Sequence, residues 1–162
     1  MNLLFKLTGG LRTLLKNIGG FCLIGMTLLT CADVVGRYLG HPIFGSVEIV
    51  GFLATLIAAL AMPYTHQARG HAGVEILFRL LSERTQTVIE LFTHAVSLLL
   101  FAVVTWRMIY YAGTISRSGE VSMSIEFPLH VIIYITAFCF LVLTLTILED
   151  IVNTTKRLMG RT

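Results

Sequence analysis

Charge is scarce in this chain. Only 13% of its 162 residues are Asp, Glu, Lys or Arg, against about 25% in an ordinary soluble domain. Cysteine offers little more. Cys22, Cys31 and Cys139 each lie within an apolar run, so no disulfide or zinc framework is indicated, and they are read as small apolar residues. Also missing are a nucleophile motif, a phosphate-cradling loop, a Gly-rich dinucleotide turn and a metal-ligand cluster. No catalytic, cofactor-binding or metal-binding residue is therefore expected, and the chain is not read as an enzyme.

What is present is apolar sequence in long runs. Hydrophobic residues make up 56% of the chain, and four segments, 18–39, 47–64, 87–106 and 128–148, are long enough to span a membrane. Crossing a hydrocarbon core of roughly 30 Å takes about 20 helical residues. The four runs use most of the chain, so the expectation is one all-α membrane domain over residues 1–162. The net charge of +3 does not point to nucleic acid, because the basic residues flank the spans and read as topology signals. With the N-terminus inside, Lys6, Arg12, Lys16, Arg69, Arg79, Arg84, Lys156, Arg157 and Arg161 are cytoplasmic, while Arg37, Arg107 and Arg117 are outside. Both termini are predicted inside. The first run is longer than the 7–15 apolar residues of a secretory signal, so it is expected to stay as the first span.

Two amphipathic helices are predicted to lie in the membrane plane. The first covers about 3–17, with Leu7, Leu11, Leu14, Leu15 and Ile18 at helical spacing and Arg12, Thr13, Lys16 and Asn17 opposite, turning into the span at Gly19-Gly20. The second covers about 74–86, between spans two and three, where Glu75 and Arg79 form a favourable i,i+4 pair. Small residues recur in span one but form no clean GxxxG, so its packing face is not named; the small residues of spans one and two weakly favour those spans as the partner-facing ones. Trp106, Arg107, Tyr110 and Tyr111 mark an interfacial belt at the outer end of span three, whose helix should continue to about Ile115. Val121, Met123, Ile125 and Phe127 alternate with polar residues, a period-two pattern of extended chain leading to Pro128 at the start of span four.

Ionisable residues at membrane depth are the default places to look for function. The stretch 33–48 joins spans one and two and holds Asp33, Arg37 and Glu48. Asp33 and Arg37 are four apart on one helix face, which suits either an internal ion pair or a contact between subunits. Glu48 in the first turn of span two complements the helix dipole beside a possible Ser46 cap; proximity to Arg37 across the turn is the alternative. A coupled transport site within this chain is not indicated, because Asp33 and Glu90 lie toward span ends rather than at the midplane. His66 and His94 near the inner face, with His41 and His130 near the outer, leave one other reading: an anchor subunit of a respiratory redox enzyme, with or without b-type haem.

The chain resembles the small permease subunit of TRAP transporters, the tripartite ATP-independent periplasmic carriers. The resemblance rests on Asp33-Val34-Val35 with Arg37-Tyr38, on Glu48, on Gly70-His71-Ala72-Gly73-Val74-Glu75, and on the Ser-rich approach to Pro128. Glu75 stands where family members commonly have Asp, Phe44-Gly45-Ser46 where they often have Trp, and Glu126-Phe127 where a small-apolar pair is usual. The resemblance implies a non-catalytic subunit in a bacterial cytoplasmic membrane. Its expected partners are a large elevator-type permease subunit, a periplasmic solute-binding protein and membrane lipid. No cofactor is expected on this chain, and sodium coupling is expected in the large subunit, with a small organic anion as solute. Asp33, Arg37, Tyr38, Glu48, Gly70, His71, Glu75 and Pro128 are the expected interface or structural residues.

Overall fold

A computed structural model describes residues 2–67 and 83–159. Four helices follow one another: α1 (Asn2–Tyr38), α2 (Ser46–Gln67), α3 (Glu83–Ser118) and α4 (Leu129–Met159). Each is long and apolar enough to cross a membrane, so the four-span all-α architecture read from the sequence holds. Helix is the form such sequence must take in lipid, because every backbone N–H and C=O has to be satisfied internally.

The helices run up and down, and the start of α1 meets the end of α4 through Thr8, Arg12 and Glu149. The bundle thus has a termini end and a hairpin end, with the α1–α2 and α3–α4 connections together at the latter. α4 is the central element, packing against α3, α2 and α1. Cys139, Val142, Leu143, Thr146 and Ile147 on it are almost fully buried. The hydroxyls of Thr136 and Thr146 donate to the carbonyls of Ile132 and Val142 one turn back, which lets polar side chains enter the core without an outside partner. α3 packs chiefly on α4, and the apolar stretch of its span has no buried residue.

Three sequence-based expectations change. The turn at Gly19-Gly20 is absent: α1 passes through both glycines as one helix. Gly lowers helix propensity by only about 1 kcal/mol, less than an unsatisfied backbone group costs in an apolar surrounding. The predicted faces of the 3–17 segment are also redistributed. Leu15 joins Ala59, Leu60, Cys139 and Val142 in the core, with Leu11 packed against them, while Leu14 and Ile18 are exposed and Arg12 is buried. Arg12 can be buried because Nη2 lies 2.9 Å from Glu149 Oε2 and Nε donates to the Thr8 carbonyl. The first amphipathic segment is thus continuous with the span and part of the bundle. The second, 74–86, falls mostly outside the described residues, except that 83–86 begin α3.

The third change concerns 121–128. Rather than an extended segment it is a closed loop, with a single antiparallel bridge between Val121 and Pro128 and a turn at 123–125. The Ser122 amide donates to the Phe127 carbonyl at 2.9 Å, and the Phe127 amide donates back to Ser122 Oγ at 3.2 Å. Among the described residues there is no strand beyond that bridge. α3 itself runs past the Trp106 belt to Ser118, three residues beyond the expected end.

Candidate functional site

The polar residues at the hairpin end hold its two connections in place. α1 ends in a Schellman motif: Gly40 has a positive φ of 79°, its amide donates to the Arg37 carbonyl, and the His41 amide donates to the Gly36 carbonyl at 2.8 Å. Gly36 is needed at this point, since a Cβ there would lie 2.5 Å from the His41 carbonyl oxygen. Asp33 then serves both sides of the turn. Its Oδ2 accepts from Arg37 Nε at 2.8 Å, and its Oδ1 accepts from the Ile43 amide at 3.0 Å. Of the two roles open for the Asp33–Arg37 pair, the internal ion pair is therefore present. The Arg37 side chain remains 54% exposed, so it stays accessible to a neighbour.

Glu48 does not reach Arg37. It sits in the first turn of α2, and its carboxylate accepts the amides of Ser124 at 2.8 Å and Ile125 at 3.2 Å. One side chain thereby fastens the 121–128 loop to the start of α2. Gly45, at φ 73°, allows the close fit, because a Cβ there would overlap Ile125 Cγ2. Phe52 and Phe127 pack with ring centroids 5.9 Å apart. The non-glycine residue Glu126 takes φ 52°, a sparsely populated conformation held by the bonds on either side.

Around this polar frame large apolar side chains are exposed, interspersed with exposed Arg37, His41, Arg117, Glu120 and Glu126. Tyr38 is 90% and Met123 99% exposed, and Leu39, Phe44 and Val47 are exposed beside them. Along α1, Phe21, Ile24, Leu28, Cys31, Val35 and Tyr38 form an exposed stripe at alternating spacings of three and four. A similar stripe on α3 includes Phe92, Val96, Leu99, Val103, Trp106 and Tyr110. Such stripes suit lipid or the helices of a neighbouring chain equally, because burial in lipid already satisfies them.

Of the residues expected from the sequence, Asp33, Arg37 and Tyr38 lie at the end of α1, Glu48 at the start of α2, and Pro128 in the bridge closing the loop that Glu48 holds. Gly70, His71 and Glu75 lie outside the described residues. The sequence reading missed Gly36, Gly45 and the Ser124 and Ile125 amides. Backbone donors carry no side-chain signal; Gly36 reads as one of the small residues of span one, and Gly45 as an ordinary turn residue. It also missed the convergence of His66, His94 and Asp150 at the termini end, since the three come from different helices.

The fold and this surface define a polytopic four-helix membrane protein whose described polar contacts at the hairpin end hold its own turns in place. The family model for tripartite ATP-independent periplasmic transporters, DctQ component, matches residues 26–157. The chain belongs to this family, the small permease component of TRAP transporters. It is thus a membrane component of a multi-part transport system rather than a member of an enzyme family, and the redox-anchor reading is not favoured. Comparison with curated proteins and with solved structures finds no match.

Proposed function

We propose that this chain is the non-catalytic small subunit that scaffolds a large, elevator-type permease in the bacterial cytoplasmic membrane. The family match over 26–157 carries the reading. In this reading the large subunit moves a small organic anion, coupled to sodium, and a periplasmic binding protein delivers the solute; neither the transport step nor its coupling ion is assigned to this chain. The basic residues that flank the spans support an orientation with both termini in the cytoplasm and the hairpin end outside.

The hairpin end supports a mechanical role. A scaffold must keep its shape while a neighbouring domain slides, and both connections here are tied by side-chain and backbone bonds rather than left loose. Tyr38, Phe44 and Met123 project from that frame as an exposed apolar edge, to which the large subunit, and at its rim the binding protein, would dock. The exposed stripes on α1 and α3 widen the footprint in lipid.

Arg37→Ala tests the edge. Recovery of the large subunit with the tagged small one should fall, while the apparent substrate affinity of the complexes that do form stays near wild type. Normal assembly with a changed affinity would refute the scaffolding role. Intact solute uptake in a strain lacking this chain would refute the subunit assignment itself.

A further inference from the structure

We propose that His66, His94 and Asp150 form a binding site for one divalent transition-metal ion of the zinc class, clamping α2, α3 and α4 together at the termini end. His66 lies near the end of α2, His94 in the third turn of α3, and Asp150 in the last third of α4. One ligand atom from each lies within 4.8 Å of the other two. The imidazole centroids are 5.9 Å apart at an interplanar angle of 69°.

Two observations point past an ordinary His–carboxylate pair. His66 Nε2 and His94 Nδ1 are buried and make no hydrogen bond, whereas buried polar atoms in folded proteins nearly always have a partner. His66 Nε2 nevertheless lies 3.3 Å from Asp150 Oδ2. That separation equals the edge of a tetrahedron built on metal–ligand bonds of about 2.0–2.1 Å, which is roughly 3.3–3.4 Å. The remaining ligand-atom separations are no greater than 4.8 Å, so a bound ion would draw those atoms together by at most about 1.5 Å.

The donor set selects the ion. Two imidazoles and one carboxylate suit zinc and its first-row neighbours, while magnesium and calcium prefer all-oxygen shells. Three protein ligands leave the fourth position of a tetrahedral ion for a water molecule. The ion has a structural consequence specific to this bundle. α3 packs chiefly on α4, so a shared ion would tie its early turns to α2 as well. The inference does not depend on the transport reading.

The test is metal titration of the tag-free full-length chain in detergent. Cobalt(II) should bind at one equivalent with the visible bands of four-coordinate geometry, and zinc should displace it. His94→Ala and Asp150→Asn should each weaken binding by at least about tenfold, and His41→Ala, at the hairpin end, should leave it unchanged. Zinc should raise the Tm of wild type but not of His94→Ala. Absence of stoichiometric binding to the wild type overturns the proposal without any variant. So does binding that survives all of the ligand substitutions.

Discussion

Gly36→Ala is the substitution in which local and tertiary effects oppose one another most clearly. Alanine in place of glycine within a helix normally stabilises by about 1 kcal/mol. At Gly36 the added Cβ would stand 2.5 Å from the His41 carbonyl oxygen, and real Cβ contacts essentially never fall below 3.0 Å. The obstacle is backbone, so the turn must move by about half an ångström. That movement strains or breaks the His41-to-Gly36 and Gly40-to-Arg37 hydrogen bonds. Losing both costs about 1–3 kcal/mol, and forcing the methyl in without losing them costs a similar amount in overpacking. After the propensity gain, the net destabilisation is about 0–2 kcal/mol, up to roughly a 30-fold change in the folded-to-unfolded ratio, and the full cost of about 1–3 kcal/mol shows against a glycine where only the propensity gain operates. Gly20→Ala is the matched control, because open space surrounds Gly20 in the same helix. The assay is reversible unfolding of the full chain in mixed detergent, monitored by helical circular dichroism. Gly20→Ala should be neutral or stabilising, and Gly36→Ala should be less stable than Gly20→Ala by about 1–3 kcal/mol. A Gly36→Ala protein as stable as Gly20→Ala would refute the close approach and the Schellman geometry with it.

Two further predictions follow from the polar contacts. The Arg12 and Glu149 side chains are only 6% and 13% exposed, so Arg12→Ala should destabilise by about 3–5 kcal/mol through the carboxylate left behind. Replacing both by apolar residues of similar size should recover most of that loss in the same unfolding assay; a double variant no better than Arg12→Ala would count against a buried pair. Glu48→Gln keeps the shape but removes the charge and one of the two acceptor oxygens that hold the 121–128 loop. Hydrogen exchange at the Ser124 and Ile125 amides should quicken severalfold while α4 exchange is unchanged. Equal protection in both proteins would show that the loop is held by its own bridge alone.

How far the chain's contacts are legible in its sequence follows the range of the interactions. The Asp33–Arg37 pair was legible because both residues lie on one helix, where a spacing of four places them on one face whatever surrounds the helix. The partner of Glu48 was not, because Ser124 and Ile125 lie more than seventy positions away and offer backbone amides that any residue carries. Arg12 was placed on the wet side of an amphipathic segment, since periodicity assigns charge outward; only Glu149, arriving from the far end of the chain, makes its burial tolerable.

The amino-acid sequence by itself determined the four spans and the family pattern. Helix formation in lipid depends on local hydropathy and on internal backbone bonding, both written along the chain. Tertiary structure decided that α4 is central, that α1 runs unbroken through Gly19-Gly20, and that His66, His94 and Asp150 meet. Those outcomes depend on which helix faces come together. In lipid that choice rests on close packing and a few polar contacts rather than on apolar periodicity, so it is not encoded in any single segment.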